Sequence, residues 1–355
     1  MLTIVSFIFV LGVLIFIHEL GHFLVAKKVG IRVERFSLGF PPNIFAKRYG
    51  ETQYCIGMIP LGGYVKMAGE NPDEESSGAK DEFMSKSILQ RAAVVLAGPF
   101  MNYVLAVAIM IGIYLVVGEV QTDPDRSLVG VVSEEGPAEK AGIVDGDEII
   151  AIDGVPVGGF ATMRDKINSV VEGPLEVTWL HEGDTLTAEV ITAVGEVPNL
   201  DGGIDTVGII GIEERAIGYR KFGLAEAVSR GFRDTHTIVY VTAKFVKQLV
   251  FGEVSTKMLG GPLFIAHQSG KVAERGFIYL MQFMALLSVN LAVLNVLPIP
   301  VLDGGHLVFL GIEAVKRSPL SMKARLMAQQ VGMVVLLALI VFVTYNDILR
   351  FMGIN

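Results

Sequence analysis

The sequence predicts a multi-pass α-helical membrane protein of four spans. A small β-rich domain is inserted between the second and third spans, and a β-hairpin lies against the membrane on the cytoplasmic side. Three observations predict this class. Of the 355 residues, 52% are apolar, and the mean hydropathy of +0.54 is high for a water-soluble chain. Four runs are apolar over the length a helix needs to cross a hydrocarbon core. Between the second and third runs, residues 119–278 carry 14 Lys/Arg against 25 Asp/Glu, with short alternating stretches. The net charge of −8, with no basic stripe, argues against nucleic-acid binding. The single cysteine, Cys55, excludes an internal disulfide and a cysteine-based zinc site, and reads as a small buried apolar residue.

The first run extends from about Leu2 to Ala26. No basic segment precedes it and no small-residue cleavage site follows it, so it reads as a retained span rather than a removed signal peptide. Lys27, Lys28, Arg32 and Arg35 follow directly, which assigns that end to the cytoplasm and the N-terminus to the outside. Within the run stands His18-Glu19-Leu20-Gly21-His22. Residues four apart share a helix face, so both imidazoles can converge on one ion. Glu19, beside the first imidazole, can reach a water on that ion. This H-E-x-x-H pattern suits a zinc hydrolase with the glutamate as general base. In a soluble protein the same pattern is often only a surface helix. Inside a span, unpaired Glu and His side chains facing lipid are too costly for that reading.

Residues 27–91 hold ten Lys/Arg and eight Asp/Glu and read as cytoplasmic. Ile31 to Phe36 alternates as a strand does. Ile56 to Met67 is apolar and glycine-rich, with a Gly62-Gly63 turn, and can dip toward the membrane; a plain hairpin reads equally well. The polar run Asn71 to Glu82 is a loop. A second span covers about Ala92 to Val117, with Gly98-Pro99 near its start and Asn102 read as a hydrogen-bonding link to another helix. These residues make up a first membrane segment, 1–118.

Residues 119–200 form the β-rich domain, with helical patches near Ala138–Ala141 and Phe160–Val171. Residues 201–275 read as a linker and an interfacial helix, because the apolar stretch Ile238 to Phe251 is interrupted by Lys244 and Lys247. Counting that stretch as a fifth span would move Lys316 and Arg317 outside, against the positive-inside rule. Residues 276–355 return to the membrane. The third span, about Phe277 to Leu297, carries Asn290 and Asn295 and is broken at Pro298-Ile299-Pro300-Val301-Leu302-Asp303. Such a break persists in a bilayer only where protein covers it or where it lines a cavity. A cytoplasmic loop with Lys316, Arg317, Lys323 and Arg325 precedes a fourth span, about Met327 to Tyr345, leaving the C-terminus outside. His181 and His236 read as solvated, and His267 as structural.

Two histidines leave a zinc site unfinished, since catalysis needs a third protein ligand and an open position. Asp303, the other intramembrane carboxylate, flanked by glycines at the break, is the best candidate. Asn295, near the break, holds either an extended substrate backbone or a neighbouring helix. The Ile56–Met67 hairpin can pair with an unwound substrate by edge addition. His306 is either a group behind the ligands or a polar residue at the helix break.

The His18–His22 motif, the run Asn295-Val296-Leu297-Pro298-Ile299-Pro300-Val301-Leu302-Asp303-Gly304 and the order of spans resemble the site-2 protease family (M50) of intramembrane zinc metalloproteases. The resemblance is to its RseP-type, regulator-of-sigma-E branch. Leu61 to Met67, Gly98 to Asn102 and Gly261 to Ala266 resemble it too, so it covers nearly the whole chain. It implies one catalytic Zn2+ held by His18, His22 and Asp303, with Glu19 as base. It also implies substrate roles for Asn295, Gly62 and Gly63. The implied substrates are single-span membrane proteins already trimmed outside, such as anti-sigma factors and signal-peptide remnants, in the bacterial inner membrane. The segment Gly136-Pro137-Ala138 to Gly142, followed by Gly146-Asp147-Glu148-Ile149-Ile150, resembles a bacterial PDZ domain. That likeness assigns its ligand loop to Leu128, Val129, Gly130 and Val131, and only one such domain is found where the long branch members have two. The rival readings are an inactive membrane-anchored PDZ scaffold and a zinc transporter. The intact quartet of His18, Glu19, His22 and Asp303 argues against the first. The few polar residues in the first, second and fourth spans argue against the second.

Overall fold

The computed structural model describes residues 1–70, 78–198, 204–318 and 320–352. The chain divides into two units, Met1–Gly112 with Val228–Val246 and Thr256–Asn355, and Ile113–Ala227 with Lys247–Ser255.

The first unit begins with α1 (Leu2–Lys28), apolar on every face except at its motif, with Lys27 and Lys28 in the last turn, where cations suit the helix dipole. Two long antiparallel strands follow, β1 (Val33–Tyr49) and β2 (Thr52–Met67). They form more than the simple hairpin expected. Phe36 is paired with both Val65 and Tyr54, and Phe45 with Ile56. The stretch 33–38 therefore lies between 63–67 and 53–56, and 43–49 pairs beyond. The result is a small sheet whose 63–67 stretch is an edge. The loop expected over 71–82 lies partly outside the described residues, at 71–77. Then comes α2 (Ile88–Val116), with Pro99 inside it.

The second unit follows in order: β3 (Glu119–Gln121), β4 (Val129–Val132), α3 (Pro137–Lys140), β5 (Glu148–Ile152), β6 (Val155–Pro156), α4 (Phe160–Asn168), β7 (Pro174–His181), β8 (Asp184–Ile191), β9 (Ala193–Pro198), β10 (Ile204–Ile209), β11 (Ile212–Glu214) and β12 (Gly218–Arg220). Strands β6-β5-β7-β8 make one sheet, while β4 pairs with β11, β9 with β10 and β3 with β12. Leu175, Val177 and Trp179 alternate along β7 into a core shared with Ile149, Met163 and Ile210. The predicted helical patches are α3 and α4. The predicted domain end at residue 200 lies outside the described residues, and the linker expected after it is corrected: β10, β11 and β12 belong to this β-rich unit. β-pairing between segments far apart in sequence is what the local reading could not see.

The remaining helices are α5 (Leu224–Phe251), α6 (Pro262–Arg275), α7 (Phe277–Val296), α8 (Asp303–Lys316) and α9 (Met322–Phe351). Among the described residues, four helices, corresponding to α1, α2, α7 and α9, are long and apolar enough to cross a membrane, so this is a multi-pass membrane protein with a β-rich, PDZ-like insertion. Helix α6 was not foreseen. Its N-terminus is capped from another helix: Gly261 and Phe264 donate their N–H groups to the fully buried Asp347 carboxylate of α9, at 3.0 and 2.9 Å.

Helix α8 is tied to α2 by a charge pair. The Arg91 guanidinium donates two hydrogen bonds, 3.0 and 2.6 Å, to the buried Glu313 carboxylate, and Arg325 of α9 donates a third at 3.4 Å. A paired guanidinium and carboxylate satisfy each other in a low dielectric, whereas either one alone does not. Glu313→Ala is therefore expected to cost about 3–5 kcal/mol. The double change Arg91→Met with Glu313→Leu should recover part of that loss, with Arg325 still left without its carboxylate. Thermal unfolding of the detergent-solubilised protein measures both.

Candidate metal centre

Glycines bring the helices close enough to build the site. A Cβ on Gly21 of α1 would collide with the Ala97 carbonyl of α2, and one on Gly98 would overlap His22 Nε2 and lie 2.8 Å from His18 Cε1. The α1–α2 approach thus depends on positions with no side chain. Gly304 and Gly305 play the same part at the helix break. A Cβ on either would strike the backbone of 296–300, so the Pro298–Leu302 turn folds tightly onto the first turn of α8. That turn delivers Asp303 to the two histidines.

His18 Nε2 and His22 Nε2 lie 3.2 Å apart, and Asp303 Oδ2 lies 3.2 Å from the first and 3.6 Å from the second. Ligand atoms about 2.1 Å from a tetrahedral zinc are roughly 3.4 Å from one another. The three separations bracket that value. Asp303 Oδ2 is buried and has no hydrogen-bond partner, which fits an oxygen that faces a cation. The residues present therefore fit zinc. His22 Nδ1 sits 2.8 Å from the Val94 carbonyl, and His18 Nδ1 sits 3.3 Å from Asn102 Nδ2.

A cavity of about 280 Å3 opens on this cluster. His18, Glu19, His22, Asn295, Asp303 and His306 line it, together with Tyr64, Val65 and Met67 of β2 and Glu70. Asn295 is thus on the cavity wall, and Asn290 instead accepts from Thr242 of α5 at 2.8 Å. Gly63 lies against α1, where a Cβ would be 3.0 Å from Ile15 Cγ2 and 3.1 Å from Glu19 Cγ. Gly62 lies under the Phe40 ring, with no room for a Cβ. Gly63 thus lets the edge stretch approach the glutamate.

Leu128, Val129, Gly130 and Val131 are in the other unit. Val129 is fully buried in its core, β4 pairs with β11, and Leu128 accepts from Arg215. The open cavity of that unit, about 680 Å3, is bounded by α4 and by Ile209–Glu213 instead. The ligand loop expected at 128–131 therefore does not line it. Glu70, Tyr64 and Val94 were also missed, because only the fold brings them to the site.

The profile of peptidase family M50 matches residues 6–339. A protein of Agrobacterium fabrum, named as a candidate zinc metalloprotease, is 36% identical over 367 residues, covering 99% of this chain and 96% of its own. The zinc metalloprotease RasP of Geobacillus kaustophilus is 32% identical over 437 residues, covering 98% of each chain. Among solved structures, the PDZ domain of an SdrC-like protein from Listeria monocytogenes is similar to 27% of this chain and 93% of its own, at 23% identity and a TM-score of 0.21. That score is too low to weigh, and the PDZ-like character of the insertion rests on its own motif and elements.

Two outcomes follow from the geometry. Gly98→Ala is expected to displace the His22 ring and to lower the zinc retained after dialysis, read by atomic absorption on the purified protein. Glu70 accepts from the Met67 N–H at 3.3 Å. Burial pushes its carboxyl up to about 7, against the Met67 N–H and His22 and in concert with Glu19 and Asp303. A raised carboxyl pKa favours the folded state at low pH, and that advantage is lost as pH climbs through the folded value. In the zinc-free protein, stability should therefore fall between the ordinary carboxylate range, about 4.5, and about 7. Glu70→Gln should flatten that part of a plot of Tm against pH.

Proposed function

The chain belongs to peptidase family M50 and is a zinc metalloprotease, and from that premise we propose that it cuts peptide bonds within the membrane segments of single-span membrane proteins. The observation that carries this reading is the convergence of His18, His22 and Asp303 within 4.8 Å of one another, among helices apolar enough to span a bilayer. Polar groups at that depth are costly and are kept for chemistry done there.

His18, His22 and Asp303 would hold one zinc. When bound, the ion polarises the scissile carbonyl and lowers the pKa of its water to roughly 7. Glu19 takes a proton from the attacking water as the oxygen bonds to the carbonyl carbon. It then passes that proton to the amine nitrogen as the C–N bond breaks. The cavity holds about 280 Å3, whereas a helix with its side chains is about 10–12 Å across, so the substrate enters locally unwound. The edge stretch Gly63–Met67 takes the unwound segment as an added strand, and Asn295, which lines the same cavity, holds its backbone.

The basic residues Lys27, Lys28, Lys316 and Arg317 support a topology in the bacterial inner membrane with both termini and the PDZ-like insertion outside. The substrates are membrane proteins already trimmed outside, of the anti-sigma-factor and signal-peptide-remnant kind. The insertion selects them by taking the new C-terminus or by refusing bulky, untrimmed domains.

The experiment is cleavage of a single-span substrate lacking its outer domain, by wild type and Glu19→Gln, with zinc measured on both. Wild type is expected to cut. Glu19→Gln is expected to hold zinc and lose activity by several orders of magnitude. A wild type that binds no zinc when purified without chelator would refute the centre.

A further inference from the structure

Both histidines direct Nε2 at Asp303. A neutral imidazole that offers Nε2 to a metal carries its proton on Nδ1, and that N–H needs an acceptor. His22 has one, since its Nδ1 lies 2.8 Å from the Val94 carbonyl. His18 Nδ1 has one polar neighbour among the described residues, the Asn102 side chain, whose Nδ2 stands 3.3 Å away. An amide NH2 cannot accept. The acceptor of that same amide, Oδ1, is buried with no donor, in a residue that is 0% exposed. The two ends of an amide are nearly identical in shape, and hydrogen bonding decides which one faces the ring. Turning the amide by half a rotation gives the His18 N–H an acceptor and leaves the NH2 in the place the oxygen held.

We propose that Asn102 is a positioning residue for the metal, its amide oxygen accepting the Nδ1–H of His18. The bond fixes the tautomer that offers Nε2 and holds the ring plane. This rests on the reading of His18, His22 and Asp303 as zinc ligands. A neutral acceptor suits the place. Asp303 and Glu19 already balance a divalent ion, and the amide adds no net charge to the site. The role is separate from helix packing, because the link from α2 to α7 is made by the Asn102 main-chain carbonyl, which accepts from the Ser288 hydroxyl at 2.7 Å. Replacing the side chain leaves that link intact.

The test is zinc affinity, by competition with a chelator, of the purified full chain in detergent. Asn102→Leu keeps the volume and removes the acceptor, and is expected to weaken zinc binding about 10- to 100-fold. Asn102→Asp restores an acceptor and is expected to bind at least several-fold more tightly than Asn102→Leu. Ser288→Ala, which loosens the helix link alone, should leave affinity within about twofold of wild type. An Asn102→Leu variant that binds as wild type does overturns the proposal. So does an Asn102→Asp variant as weak as Asn102→Leu, or a Ser288→Ala variant that loses as much. If wild type itself holds no zinc, the ligand assignment fails first, which is a different result from tight zinc that ignores residue 102.

Discussion

A charged or polar group in an apolar bundle must find a partner inside the bundle, because no solvent is there to serve as one. Much of the membrane unit can be understood from that constraint. His18, His22 and Asp303 answer it by meeting one another around a common centre. Arg91 and Glu313 answer it as a pair, and Asp347 answers it by capping α6. Each solution also joins two helices that the apolar surfaces alone would leave free to slide. The polar groups thus specify which helices meet, while the apolar ones supply the bulk of the contact.

Close approach is the second requirement, and glycine provides it. Gly21 and Gly98 let α1 and α2 touch at the motif, while Gly304 and Gly305 let the broken chain fold back on α8. None of these positions carries chemistry. Each removes a Cβ that would hold a ligand atom away from its neighbours. A ligand cluster with separations of 3.2 to 3.6 Å is as much a consequence of missing side chains as of present ones.

The four spans, the His18–His22 spacing and the break before Asp303 were legible because each is a local pattern, readable within about twenty residues. Their convergence was arguable from the cost of isolated polar groups. Other features were not legible. The double pairing of Phe36 with Val65 and Tyr54 depends on one strand serving two neighbours. Strands β11 and β12 close on partners some eighty to a hundred residues earlier, so the passage that holds them looked like a linker. Glu70 carries no motif in the sequence, and only the fold turns it into the cavity. Asn102 was read as an interhelical link, and it is one, but the group it meets on the other helix is His18.

The edge stretch beside Glu19 has a consequence for what the enzyme discriminates. An added strand is held through its main chain, and main-chain groups are the same for every residue except proline. A client helix must surrender its own ladder of bonds before it can be held this way. If clients are held in the proposed way, the quantity being sampled is the local fraying free energy of the client, more than the identity of its side chains. Two clients with unrelated sequences and equally weak helices would be cut alike, and a single residue that firms up the helix would protect a client without touching the enzyme.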